Sequence, residues 1–253
     1  LRDIPTLRHL KLENNSQGSI VLLHGDRART VASHLSKLTH LESLYIYFLV
    51  DGRDEACVKG LCELISSLPR LTDLQLPSNC LTPQSIGKLC EPMIHMNTLS
   101  HLDLSWCTLD EANMNVIGKA VAHLPLNYLG LWDITWKSGG FEALVEQFEH
   151  WPHLKSLELN HEELDEDQLA QLATHLSKLT SLIFLNLLVS QGHIPLLESL
   201  KPLPLQVLYW YAPEESEATL KQAFPSKCVV YQGNRFLIHD TAFSTLSYDE
   251  YAS

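Results

Sequence analysis

The feature that most constrains this chain is a short phrase that returns eight times. LRHLKL begins at Leu7, LESLYI at Leu41, LTDLQL at Leu71, LSHLDL at Leu99, LNYLGL at Leu126, LKSLEL at Leu154, LIFLNL at Leu182 and LQVLYW at Leu205. Each reads Leu-x-x-Leu-x-apolar, the last closing on Trp210. Successive starts lie 34, 30, 28, 27, 28, 28 and 23 residues apart. A period held through eight copies belongs to repeat architectures. In these a unit of about 20–29 residues cannot bury its apolar side alone and stacks on its neighbours. The 49 leucines among 253 residues are the compositional trace of that arrangement.

Within each phrase, apolar residues two apart with a polar residue between them predict a short strand with one buried face. The spacing then turns helical. In DEDQLAQLATHLSKL, Leu169, Leu172, Leu176 and Leu179 recur at intervals of three and four behind Asp165, a candidate N-cap. The segment from Asp110 behaves likewise, and Thr82-Pro83 reads as an N-cap followed by proline at the first helical position. The expected fold is therefore α/β, a solenoid or horseshoe with parallel strands on the concave face and helices on the convex face. Residues 1–212 carry about eight repeats and residues 213–253 form a C-terminal capping segment of the same single domain: a last helix in EESEATLKQAF, a closing strand in KCVVYQ and an acidic tail. The N-terminus shows no comparable cap, which leads to the expectation that the chain continues upstream in the natural protein.

These phrases, above all DLSWCTLDEANMNVIGKAVAHLP and LELNHEELDEDQLAQLATHLSKLTSL, resemble the ribonuclease-inhibitor type of leucine-rich repeat. Within it the chain is most similar in style to the C-terminal sensor domains of nucleotide-binding leucine-rich-repeat (NOD-like) innate immune receptors. The resemblance implies a non-enzymatic cytoplasmic domain, without cofactor or metal, that binds a protein ligand or adjacent domains of its own polypeptide. A bacterial or parasite effector that binds a host protein, and a GTPase-activating or enzyme-inhibitor module, use similar repeats and stay open as alternatives. No G-x-x-x-x-G-K-S/T occurs, so the nucleotide-binding module itself is not in this chain. The family places Asn or Cys in the turn after each strand. Here that position holds Asn15, Leu49, Asn79, Cys107, Ile134, Glu162 and Ser190, and only three of these fit.

Charge narrows the partners. Eighteen basic against 30 acidic residues give a net charge of −12, which repels phosphates and argues against nucleic acid as a ligand. No apolar run approaches the roughly 20 residues of a membrane-spanning helix. Secreted repeat proteins carry disulfide-rich end caps, whereas Cys57, Cys62, Cys80, Cys90, Cys107 and Cys228 are scattered, so buried thiols and a cytoplasmic location are expected, and the isolated domain is separately expected to be a monomer. Asn14-Asn15-Ser16 matches a glycosylation acceptor and points weakly the other way.

Alternation also sorts side chains onto the concave face. It places there the aromatics Tyr45, Tyr47, Tyr128, Trp132, Phe184, Tyr209 and Tyr211, the carboxylates Asp73, Asp103 and Glu158, and His101. Aromatic anchors in a polar surround are what protein interfaces use. Eight strands at about 4.8 Å span roughly 34 Å, enough for an interface of about 800 Å² per partner. His101, Asp103 and Ser105 can be written as a triad, but alternate residues of one strand point in parallel rather than converging on a reacting atom. The acidic run from His161 lacks the spaced oxygen ligands of a calcium loop and suits a helix N-terminus better.

Overall fold

The structure, a computed structural model, describes residues 6–14, 25–47, 49–159, 164–188, 194–211, 217–232 and 235–239. All eight phrases form strands, and each strand begins two residues after the first leucine of its phrase. They are β1 (His9–Glu13), β2 (Ser43–Tyr47), β3 (Asp73–Gln75), β4 (His101–Asp103), β6 (Tyr128–Gly130), β8 (Ser156–Leu159), β9 (Phe184–Leu188) and β10 (Val207–Tyr211). These lie side by side in chain order, every neighbouring pair parallel. In register, the second leucine of every phrase falls in one cross-strand row: Leu10, Leu44, Leu74, Leu102, Leu129, Leu157, Leu185 and Leu208.

The connections are helices: α1 (Gly25–Leu35), α2 (Glu55–Ser66), α3 (Pro83–Met93), α4 (Glu111–Val121), α5 (Gly140–Gln147), α6 (Glu166–Leu176), α7 (Ile194–Leu200) and α8 (Glu217–Ala223). Each packs on the next along the chain. Their apolar faces meet the leucine rows in one continuous core. The result is an α/β arrangement with a mostly parallel sheet, consistent with a leucine-rich-repeat-like fold. Three helix starts follow the sequence signals. Thr82 with Ser85, Asp110 with Asn113 and Asp165 with Gln168 all form reciprocal capping boxes, and Pro83 opens α3.

Backbone bonding repeats with the same period. Before each strand one carbonyl accepts two N–H groups of the following unit: Arg8 from Glu42 and Ser43, Glu42 from Thr72 and Asp73, and so on to Ile183 from Gln206 and Val207. After the strand the residue preceding the Asn/Cys position is left-handed, at Ser78 (φ 56°), Trp106 (φ 58°) and Asp133 (φ 53°). Of the turn positions that hold Asn or Cys, Asn79 shows what the residue does. Its Oδ1 accepts from the Leu49 and Val50 N–H groups at 3.0 and 2.9 Å, and its Nδ2 donates to the Ile46 and Pro77 carbonyls. Asn79 is fully buried and so joins two units where backbone groups have no water. Asn15, Glu162 and Ser190 lie outside the described residues.

Two features depart from the sequence expectation. The closing strand KCVVYQ is β11 (Cys228–Gln232), but it does not follow β10. A further strand, β12 (Arg235–His239), from the segment read as an acidic tail, is inserted between them and pairs antiparallel to both. The run Phe236-Leu237-Ile238 within β12 is too short and too uniformly apolar to show strand alternation. Two turns also pair as β5 (Thr108–Leu109) and β7 (Thr135–Trp136), a two-stranded sheet beside the main one.

Asn79→Ala leaves the buried Val50 N–H and the partly buried Leu49 N–H unpaired, at about 1–3 kcal/mol for a fully buried group and less for the other. We expect a loss of about 2–4 kcal/mol in urea unfolding, and a loss below 1 kcal/mol would show that the turn does not depend on this side chain.

Candidate functional site

With the leucines turned to the helices, the third and fifth residues of each phrase occupy the other sheet face. One cross-strand row there runs Tyr45, Gln75, Asp103, Gly130, Glu158, Asn186 and Tyr209. This face divides into two parts.

In the first part, from β2 to β6, side chains are half-buried and reach solvent. The Tyr45 and Tyr47 rings stack at 6.2 Å, and Tyr47 meets Trp106 edge-on at 6.2 Å. Trp106 is 43% exposed although its backbone is left-handed. Such a conformation costs a bulky residue about 1–3 kcal/mol. His101 stacks on Tyr128 at 5.7 Å. Between the two aromatic groups lie the carboxylates. Asp73 accepts from Ser43 Oγ at 2.8 Å and from Gln75 Nε2 at 3.0 and 3.1 Å. Asp103 accepts from the Ser105 N–H at 2.8 Å. Among the described residues neither carboxylate has an ion-pair partner within 4.0 Å. Burial pushes the Asp103 carboxyl above its ordinary value against the Ser105 bonds, and nearby Asp73 adds to the rise. Gly130 makes room here: a Cβ would lie 2.9 Å from both the Asp103 carboxylate and the Tyr128 hydroxyl. Trp132 is half-buried, its N–H bonded to Ser105 Oγ, and its carbonyl accepts from the Trp106 N–H.

In the second part, from β8 to β10, the same face is closed. Glu158 is 6%, Phe184 4% and Tyr209 5% exposed. Phe184, Val207 and Tyr209 form a small second core with Leu237 of β12 against it. These three sequence-derived candidates therefore sit in packed surroundings rather than on an open surface. Tyr211 ends β10, and its side chain lies outside the described residues. Asn186 is fully buried with neither amide atom hydrogen-bonded among the described residues.

The structure thus brings together Tyr45 with Tyr47, and His101 with Tyr128, around Asp73 and Asp103. Sequence alternation missed Trp106, because it stands beyond the strand in the left-handed turn position. The available signal was a tryptophan where the neighbouring repeats place Ser78 and Asp133.

Other chemistry is sparse. His101 Nδ1 is 2.9 Å from Ser100 Oγ, and no hydrogen bond joins His101 to Asp103 or Ser105 among the described residues. No group of three or more His, Cys, Asp or Glu with metal-binding geometry occurs among them. A cleft of about 530 Å³ between the starts of α2 and α3 holds Arg53, with Lys88 paired to Glu55 at 2.9 Å. Cys57, Cys62, Cys80, Cys90 and Cys107 form no disulfide, and burial raises the Cys62 thiol to about 11 and that of Cys90 to about 12. No described helix is long and apolar enough to cross a membrane.

No family model matches the chain, and no curated protein sequence matches it. Among solved structures it is similar to a Bacteroides fragilis protein from a structural genomics programme. That likeness has 18% identity and a TM-score of 0.49, and covers 81% of this chain and 66% of that one. It is also similar to TLR13 in a complex with single-stranded RNA, at 17% identity and a TM-score of 0.32, covering 83% of this chain and 40% of that one. The chain spans only part of each.

Two predictions test this geometry. A carboxyl whose folded value is raised favours folding while protonated, and that contribution is lost as pH rises through the folded value. Asp103→Asn, which keeps an acceptor for Ser105, should therefore melt higher than the parent at pH 7, with the gap closing below about pH 4. A lower melting point at pH 7 would mean that the charged form is stabilising. Asn186→Leu removes buried polar atoms without partners and should raise stability by about 1–3 kcal/mol in chemical denaturation. A destabilised variant would reveal a hydrogen-bonding role for that amide.

Proposed function

We propose that this chain is a leucine-rich-repeat horseshoe that recognises protein through the concave sheet face. We place it as the ligand-sensing or autoinhibitory C-terminal part of an intracellular innate immune receptor of the nucleotide-binding leucine-rich-repeat kind. In this reading it works as a cytoplasmic monomer and performs no catalysis. The repeat phrases support the receptor assignment through their resemblance to that class. The observation that carries protein recognition is Trp106. A large aromatic side chain held exposed in a left-handed turn, beside Tyr47, costs folding free energy and packs into no core. Exposed aromatic anchors next to polar groups are the usual centres of interface energy. The open half of the face, Tyr45, Tyr47, Asp73, His101, Asp103, Tyr128 and Trp132, is the surface assigned to the ligand.

The test is selection of a displayed random-peptide library on the parent chain and on Tyr47→Ala/Trp106→Gly. Glycine suits φ 58° better than tryptophan, so the double variant should melt within a few degrees of the parent. Selected peptides should bind it at least tenfold more weakly, which is about 1.4 kcal/mol. Equal binding to a folded double variant would remove this surface from the function.

A further inference from the structure

We propose that the rim of the sheet where the strands begin binds an extended acidic peptide segment carrying one apolar anchor residue. The anchor sits in a cleft between the ends of α2 and α3, and carboxylates on either side of it pair with Arg70 and with the cations before β8 and β9. This surface is separate from the sheet face and rests on different residues.

The first support is charge. The strands before which these turns stand all point the same way, so every helix-to-strand turn lies along one rim. The described turns are residues 36–42, 67–72, 94–100, 122–127, 148–155, 177–183, 201–206 and 224–227. They hold six Lys or Arg and five His against two acids, in a chain with 18 Lys or Arg and 30 acids. The two acids, Glu42 and Glu149, are taken by Arg8 at 3.1 Å and His150 at 3.6 Å. Lys37, Arg70, Lys155 and Lys178 are exposed, and their side chains have no ion-pair or hydrogen-bond partner among the described residues. The helix dipole does not account for them. It favours cations within the last turn, yet the last turns of α2, α3 and α5 hold no basic residue, and Arg70 and Lys155 stand beyond them beside the strand starts.

The second support is spacing. Four successive units close the same turn: the Met96 N–H donates to the Met93 carbonyl at 2.9 Å, Leu124 to Val121 at 3.0 Å, Trp151 to Phe148 at 3.2 Å and Leu179 to Leu176 at 3.1 Å. The residues just before these donors are His95, His123, His150 and Lys178, a row of N–H donors with one member per unit. Units lie about 4.8 Å apart at the strands and about 8–10 Å apart at the helices. That range brackets the roughly 7 Å between alternate side chains of an extended peptide.

The third support is shape. A cleft of about 560 Å³ opens on this rim, lined by Ile65, Leu68, Pro69, Pro92 and Met96 with His95 among them. Ile94, which caps α3 beside His95, is 44% exposed. Apolar walls with Arg70 next to one and His95 next to the other suit an apolar side chain flanked by carboxylates. The net charge of −12 does not oppose this placement strongly. The acidic helix starts at Asp54 and Asp110 are on the other rim. Helices of 11 or 12 residues put it about 16–18 Å away, roughly twice the Debye length at physiological salt.

The test is fluorescence anisotropy at pH 7 with a labelled nonapeptide that has Leu at its fifth position, Glu at the other odd positions and Ser between. Alternation puts the Leu and the Glu side chains on one face. The comparison probes are the same peptide with Gln for Glu, the same with Ser for Leu, and a single-stranded RNA of equal length. The parent peptide should bind at least tenfold more tightly than the Gln and RNA probes, and at least threefold more tightly than the peptide without Leu. Exposed ion pairs contribute little singly, so two are removed at once. Arg70→Gln/Lys155→Gln should weaken binding at least fivefold, and Ile94→Ser at least threefold. Lys59→Gln/Lys137→Gln, which removes two exposed cations away from this rim, should leave it within twofold, as should Tyr47→Ala/Trp106→Gly. Equal loss in the Lys59/Lys137 variant would be general charge attraction and overturns the proposal. RNA bound more tightly than peptide through Arg70 and Lys155 overturns the peptide assignment. Binding lost only in Tyr47→Ala/Trp106→Gly belongs to the sheet face, and overturns the rim while leaving protein recognition standing. No binding by the folded chain at about 1 mM peptide overturns it as well.

Discussion

Lateral stacking of leucine is the interaction on which everything else depends. A unit of one short strand and one helix has an apolar side that only the next unit can cover. Burying one such leucine contributes about 1.5–3 kcal/mol, and the row from Leu10 to Leu208 repeats that gain at every step. Because the row is in register, the residues between the leucines are in register too, and they fall on the opposite face. Core and surface are thereby separated along each strand: substitutions at the third and fifth positions of a phrase leave the leucine rows untouched.

That separation explains how much was legible in advance. The strand starts, the capping boxes at Thr82, Asp110 and Asp165, and the parallel α/β order follow from spacing and local chemistry, which a single sequence displays directly. The composition of the sheet face was legible as well, since alternation decides which way Tyr45 or Asp103 points. What alternation does not encode is coverage. Phe184 and Tyr209 obey the same rule as Tyr45, yet Leu237 packs on them because β12 returns antiparallel beside β10. That contact joins residues roughly 30–50 apart in sequence that share no repeat pattern. The buried Asn186 belongs to the same closed half.

The turn after the strand carries a second lesson. Its left-handed residue and the following Asn/Cys position work as a pair. The first bends the chain out of the sheet, and the second satisfies the backbone groups that the bend exposes, as Asn79 does for Leu49 and Val50. Cys107 cannot make four such bonds, and among the described residues its sulfur reaches only the Ser105 carbonyl at 3.8 Å. The turn that relies on this weaker joint is the one that displays Trp106.

Several costs converge on this one stretch of β4 and its turn: a tryptophan in a strained conformation, a half-buried carboxylate without a counter-ion among the described residues, and a turn residue with little bonding capacity. Separately, each is the kind of local violation that a stable repeat array absorbs, because neighbouring units on either side supply the missing stability. Trp106 and Asp103 stand on the open face, while Cys107 is buried in the leucine core directly behind them. An array built from interchangeable units has little structural reason to concentrate unfavourable groups in one of them. The protein-recognition reading supplies a reason, since a bound partner would cover Trp106 and recover the cost of displaying it.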